Sequence, residues 1–148
     1  MGRIPAGLLF WIKSWARPTV FGVAGAIRNR DGDILLVRQT YMAGWRLPGG
    51  GVGHGEPPIV ALARELKEEV GLEGGRARLF GLYSRKVWWI NHVVALYVIE
   101  EGEVHFQPNL EVRAVIWASP ETPPADVAPA TLRRLRELAT GAQQDGIW

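Results

Sequence analysis

There is no cysteine in this chain, which excludes disulfide staples, thiol nucleophiles and cysteine-ligated zinc. The absence suits a reducing compartment, and a cytoplasmic protein is expected. No apolar run approaches the roughly 20 residues of a membrane-spanning helix, so no transmembrane segment is expected. Internal repeats and low-complexity stretches are missing as well, and nothing subdivides the 148 residues. With 47% hydrophobic residues there is material for one domain with a full core. Charge of one sign is also scarce, since Lys and Arg number 17 against 15 Asp and Glu. The basic residues are dispersed, which argues against long nucleic acid as a partner.

The charge is unevenly placed all the same. Residues 1–55 carry Arg3, Lys13, Arg17, Arg28, Arg30, Arg38 and Arg46 against only Asp31 and Asp33. Basic groups beside an acidic site would suit an anionic phosphate substrate, although solvated strand ends carry such residues equally well. The first 17 residues form an apolar N-terminal extension, with Ile4 to Trp15 its most apolar part. It lacks the long core and small-residue cleavage site of a signal peptide. Packing on its own domain, or on a second subunit in a homodimer, is the expectation; an interfacial membrane helix is the alternative.

Strands are expected at Thr19 to Ile27, Asp33 to Gln39, Arg78 to Ser84, Asn91 to Ile99 and Val112 to Trp117, with Asn29 to Gly32 as a turn. Pro129 to Thr140 reads as an amphipathic helix closed by Gly141. This order suits a mixed α/β layered domain over residues 18–141. Residues 142–148 read as a C-terminal tail, loose from Gln143 to Trp148.

The segment 50–72, GGVGHGEPPIVALARELKEEVGL, carries the chemistry. Pro57 and Pro58 suit a first helical turn. Ile59, Leu62, Ala63, Leu66 and Val70 recur at helical spacing, and Gly71 suits the left-handed cap. Glu65, Glu68 and Glu69 then share one helix face within about 100° of arc. Like charges so close repel unless a cation lies between them, and clustered carboxylates suit Mg²⁺ or Mn²⁺. Arg64 precedes Glu68 by four positions and is placed to hold part of the cluster. Upstream, Leu47 to Gly53 reads as a sharp glycine turn that brings backbone close to a ligand. A solvated acidic helix after a turn accounts for the helix alone, but not for Glu56 and Arg64 at these offsets.

The segment resembles the Nudix box, G-x5-E-x7-R-E-U-x-E-E-x-G-U, where U is a bulky aliphatic residue. Gly50, Glu56, Arg64, Glu65, Leu66, Glu68, Glu69, Gly71 and Leu72 match every defined position. The resemblance implies an α/β/α sandwich around a mixed sheet and a hydrolase that cleaves a nucleoside diphosphate linked to another moiety. It further implies Glu65, Glu68, Glu69 and the Gly50 carbonyl as metal ligands, with Glu56 and Arg64 orienting them. Glu65, Glu68 and Arg64 are the catalytic candidates, and Glu68 is the first choice for general base. Later acids, Glu100, Glu101 and Glu103, compete with it, and His105 more weakly.

Specificity is expected outside the box. Arg38 and Arg46 are candidate phosphate contacts, and Trp88 and Trp89 candidate stacking surfaces. Trp45 reads as an anchor for its loop, and His92 as a sheet residue within reach of a ligand. The proline that ADP-ribose-specific members resemble one another in is replaced by Trp88. The tyrosine of dinucleoside polyphosphate hydrolases and the run typical of NADH pyrophosphatases are also missing. These absences weaken three substrates and exclude none, and a nucleoside triphosphate or nucleotide sugar is open as the small-molecule substrate. A nucleotide-binding sensor and an RNA 5′-pyrophosphohydrolase are the alternatives; an isoprenoid-diphosphate isomerase would require a cysteine.

Overall fold

The computed structural model describes residues 18–148; the apolar segment 4–15 lies outside the described residues. The chain runs through β1 (Thr19–Ile27), β2 (Ile34–Gln39), β3 (Trp45–Arg46), β4 (Gly49–Gly51), α1 (Pro58–Val70), β5 (Leu72–Val87), β6 (Ile90–Val104), β7 (Val112–Ala118) and α2 (Pro129–Thr140). β1 pairs in parallel with β6, while β4 and β5 close the two edges of the four-stranded sheet β4-β1-β6-β5. The second sheet has the order β3-β2-β7, with both pairings antiparallel.

The central strands are buried on both faces, so they read as continuous apolar runs rather than alternating ones. Val23 and Ile27 of β1, Leu35 and Val37 of β2, and Ala95 and Ile99 of β6 pack with Leu62, Leu66 and Val70 of α1. Their neighbours in sequence, Ala24, Ala26, Ile34, Leu36, Leu96 and Val98, point the other way and meet Leu135 and Leu138 of α2. Period-two alternation thus serves two cores, and a helix covers each face of a mixed sheet. This is the α/β/α sandwich that the resemblance implies.

Both helices keep their expected ends, with a proline in the first turn and left-handed Gly71 and Gly141 at their C-caps. Gly71 is required twice over. Its φ is 64°, and a Cβ there would lie 2.4 Å from the His105 carbonyl oxygen.

Three expectations are corrected. The glycines at 49–51 form a short strand against β1, with Val23 opposite Gly50, rather than a turn. The hairpin of β5 and β6 is much longer than its apolar stretches, because backbone pairing continues through Gly74 and an Arg76–Glu101 ion pair at 2.7 Å. Only Trp88 and Trp89 remain to form its tip. The segment 143–148 is docked rather than loose: the Ser84 N–H donates to the Gly146 carbonyl at 2.8 Å, and the Trp148 N–H donates to the Ser84 carbonyl at 3.1 Å.

Candidate active site

Burying one face of α1 sets its acids. With Leu62, Leu66 and Val70 in the core, Glu69 lies at the edge of the apolar stripe and is itself 2% exposed. One Glu69 oxygen accepts the Gly49 N–H at 2.9 Å. Burial pushes its carboxyl up to about 7, helped by the negative charges of Glu65 and Glu111 and opposed by the Gly49 and Gln39 hydrogen bonds. One turn earlier, Glu65 presses its carboxyl group onto Gly50. A Cβ at position 50 would lie 2.3 Å from that carboxyl carbon, so any side chain there would have to push the Glu65 carboxylate aside.

Arg64 organises the entrance to this cluster. It grips Glu56 with Nε to Oε1 at 3.0 Å and Nη2 to Oε2 at 3.0 Å, a two-pronged geometry natural to a guanidinium. Its Nη1 donates to Glu65 at 2.7 Å and lies 3.7 Å from Glu68, while Nη2 also reaches the Gly51 carbonyl at 3.1 Å. Glu56 accepts the Gly53 N–H as well, and the Arg64 contacts above all hold its carboxyl down at about 2. The positive charge between Glu65 and Glu68 is therefore Arg64 itself. Among the described residues no group of three or more acidic or histidine side chains is placed to hold a metal ion as it stands. Glu68 remains exposed at the mouth of the cluster.

The glycine strand also lines a cleft of 310 Å³, at the small end of the size range for ligand sites. Arg46, Tyr41, Gln39 and His92 supply its polar walls, and Met42, Val94 and Trp148 its apolar ones. Burial pushes the Tyr41 phenol up, with the charges of Glu69, Glu111 and Glu65 adding to the effect. Burial lowers His92, with the charge of Arg85 contributing.

The structure divides the specificity residues named from sequence. Arg46 stands on the cleft wall. Arg38 instead forms an ion pair with Asp126 and lies 4.4 Å over the Trp45 ring, which fastens β2 to the segment before α2. Trp45 anchors that same segment by accepting the Ala128 N–H at its carbonyl, at 2.9 Å. Trp88 and Trp89 sit at the tip of the β5–β6 hairpin, 79% and 66% exposed and edge to face with each other, and they do not line the cleft. Glu100, Glu101 and Glu103 flank a separate groove with Arg28, Arg30 and Trp117.

The acid that does reach the cluster is Glu111, which was not singled out from sequence. Asn109 brings it there. Its Nδ2 donates to the Glu69 carbonyl at 3.1 Å, while its Oδ1 accepts the N–H groups of Glu111 and Val112 at 3.0 and 2.9 Å. An Asn two residues before an acid at a strand start is a turn signal, but which helix the turn meets is a tertiary matter. Gln39, Tyr41 and Trp148 left no sequence signal of a site.

A model of the NUDIX domain matches residues 18–138, and the chain belongs to the Nudix hydrolase family. Its relatives include a Bacillus subtilis protein named as a candidate 8-oxo-dGTP diphosphatase, 29% identical over 82% of this chain and 80% of that protein. An RNA pyrophosphohydrolase of Hydrogenovibrio crunogenus is 34% identical over 62% of this chain, but only 52% of its own length is covered. Among solved structures, a MutT Nudix hydrolase from Burkholderia pseudomallei superposes with a TM-score of 0.70 at 28% identity, over 80% of this chain and 96% of that one.

Proposed function

We propose that the chain is a metal-dependent pyrophosphohydrolase that cleaves the diphosphate linkage of a small nucleoside diphosphate derivative, such as a nucleoside triphosphate or a nucleotide sugar. The observation that supports this best is the apposition of Glu65 and Glu69 to the Gly49–Gly50 backbone, on the strand that also lines the cleft.

The chemistry of the donors, rather than a ready-made cage, suits a hard divalent cation. They are carboxylate oxygens with no thiol among them, and Glu69 is buried beside two further acids whose mutual repulsion a cation would relieve. Glu65, Glu68, Glu69 and the Gly50 carbonyl would hold Mg²⁺, with Mn²⁺ as a substitute. Such an ion neutralises phosphate charge and lowers the pKa of a bound water. The chain supplies the rest. Arg64, gripped by Glu56, holds Glu65 in one orientation. Arg46 offers a guanidinium to phosphate oxygens from the cleft wall. We assign Glu68 as the base that takes the proton of the attacking water onto its carboxylate, since it is exposed and held only loosely by Arg64. Glu111 is the competing base, and the kcat values of Glu68→Gln and Glu111→Gln decide between them.

Substrate is tested by incubating the protein and Mg²⁺ with nucleoside triphosphates including 8-oxo-dGTP, nucleotide sugars, ADP-ribose, dinucleoside polyphosphates and 5′-triphosphorylated RNA. Cleavage of a small nucleotide that requires metal supports the reading. Preference for RNA ends would transfer the activity to the class named for some relatives, and tight binding without product would make the chain a sensor. No described helix is long and apolar enough to cross a membrane; the cytoplasmic location expected from composition belongs to this proposal, and cell fractionation tests it.

A further inference from the structure

Three aromatic side chains line the cleft, Phe21, Tyr41 and Trp148, and the largest of them comes from the segment that the sequence presents as a loose tail. We propose that Trp148 is the surface on which the heterocyclic base of the substrate stacks, held in place by a buried Tyr83–Glu137–Arg134 network. This rests on the nucleotide reading above and adds a specificity residue to it.

The segment is fixed along its length. Gln143 Nε2 donates to the Leu82 carbonyl at 2.6 Å, and the Gln144 N–H donates to Glu137 at 3.2 Å. Arg134 Nη1 donates to the Ile147 carbonyl at 2.7 Å, and the two Ser84 bonds complete the attachment. Beneath it, Tyr83 donates its hydroxyl to Glu137 at 2.6 Å, and Arg134 Nε lies 2.9 Å from the same carboxylate. Tyr83, Arg134 and Glu137 are all at most 1% exposed. The Trp148 indole then rests edge-on to the Tyr83 ring at 5.7 Å, with the Arg134 guanidinium 5.6 Å from its centroid.

A side chain so supported has few orientations left, and pre-organisation of this kind lowers the entropy lost on binding. Trp148 remains half-buried rather than enclosed, and it lines the same cleft as Met42, Val94, Arg46 and the glycine strand. The cleft thus combines a guanidinium suited to phosphates, from Arg46, with an indole suited to a base. Trp88 and Trp89 have no comparable support and lie outside it.

The test compares wild type with Trp148→Ala, Trp148→Leu and Trp148→Phe, using ATP, GTP, CTP and UTP beside inorganic tripolyphosphate, which has no ring. KM and kcat are measured, and binding is followed separately by calorimetry. Base–aromatic stacking predicts about a tenfold loss of nucleotide affinity for the Ala and Leu variants, a smaller loss for tripolyphosphate, and recovery with Phe. Equal losses for ringed and ringless ligands, or none, would overturn the assignment. The Leu variant keeps apolar bulk against Tyr83, so a tail that loosens in the Ala variant does not decide the result. If wild type binds nucleotides without cleaving them, hydrolysis falls and the binding series still judges Trp148. If it cleaves them and the series is flat, Trp148 alone falls; no nucleotide binding retires both.

Discussion

Glu65 and Gly50 are in such close contact that the helix acid occupies the space a side chain at position 50 would need. The glycine therefore leaves the room in which Glu65 holds its present position. Gly50→Ala has nowhere to place its methyl group unless Glu65 swings away or β4 shifts from β1. The expected result is at least a tenfold weaker apparent metal affinity in an activity titration. Retention of wild-type metal dependence would remove Glu65 from the metal site.

Glu69 predicts a separation of activity from stability. Its carboxyl is buried, and its neighbours raise its cost further. Glu69→Gln keeps the shape and removes the charge, so the metal-free protein should melt at the same temperature or higher. Turnover with metal should fall by about two orders of magnitude or more. Loss of both together in calorimetry and assay would make Glu69 a structural residue.

The Glu56–Arg64 pair gives a pH signature. Glu56 titrates at about 2 in the folded chain against 4.5 as its ordinary value. A depressed carboxyl stabilises the fold above its unfolded value, and that contribution is lost as pH falls toward 2. The stability difference between wild type and Glu56→Gln should be constant above about pH 4.5 and shrink below it. Urea denaturation at several pH values measures this; a difference that grows on acidification would reverse the assignment.

In the α2 network the charges are fully buried, so removing one partner is costly. Glu137→Ala leaves Arg134 without its carboxylate and should destabilise the fold by about 3–5 kcal/mol. Tyr83→Phe removes one hydrogen bond to a charged group and should cost about 1.5–3 kcal/mol. Chemical denaturation reads both. If Glu137→Ala costs no more than Tyr83→Phe, the ion pair is not the anchor of the segment 143–148.

How much of this was legible beforehand follows from the range of each interaction. The ends of α1 and α2 depend on proline, left-handed glycine and apolar spacing within a few residues, and they were readable. So was the acid face of α1, because helical geometry alone puts Glu65, Glu68 and Glu69 together. The family too was readable, from nine box positions confined to one segment. The long hairpin was not, since backbone pairing persists where side chains carry no apolar pattern.

Tertiary structure decided the remainder. Arg38 and Arg46 are equivalent in sequence terms, yet Asp126, 88 positions from Arg38, pairs with one and leaves the other on the cleft wall. Glu111 joins the acids because Asn109 docks on α1, 40 positions away from the Glu69 carbonyl it bonds. Trp88 and Trp89 look like the ring-binding pair and are exposed, while Trp148 looks like tail and forms a wall of the cleft. Local composition sets what a side chain can do; which partner it meets depends on contacts made across the folded chain.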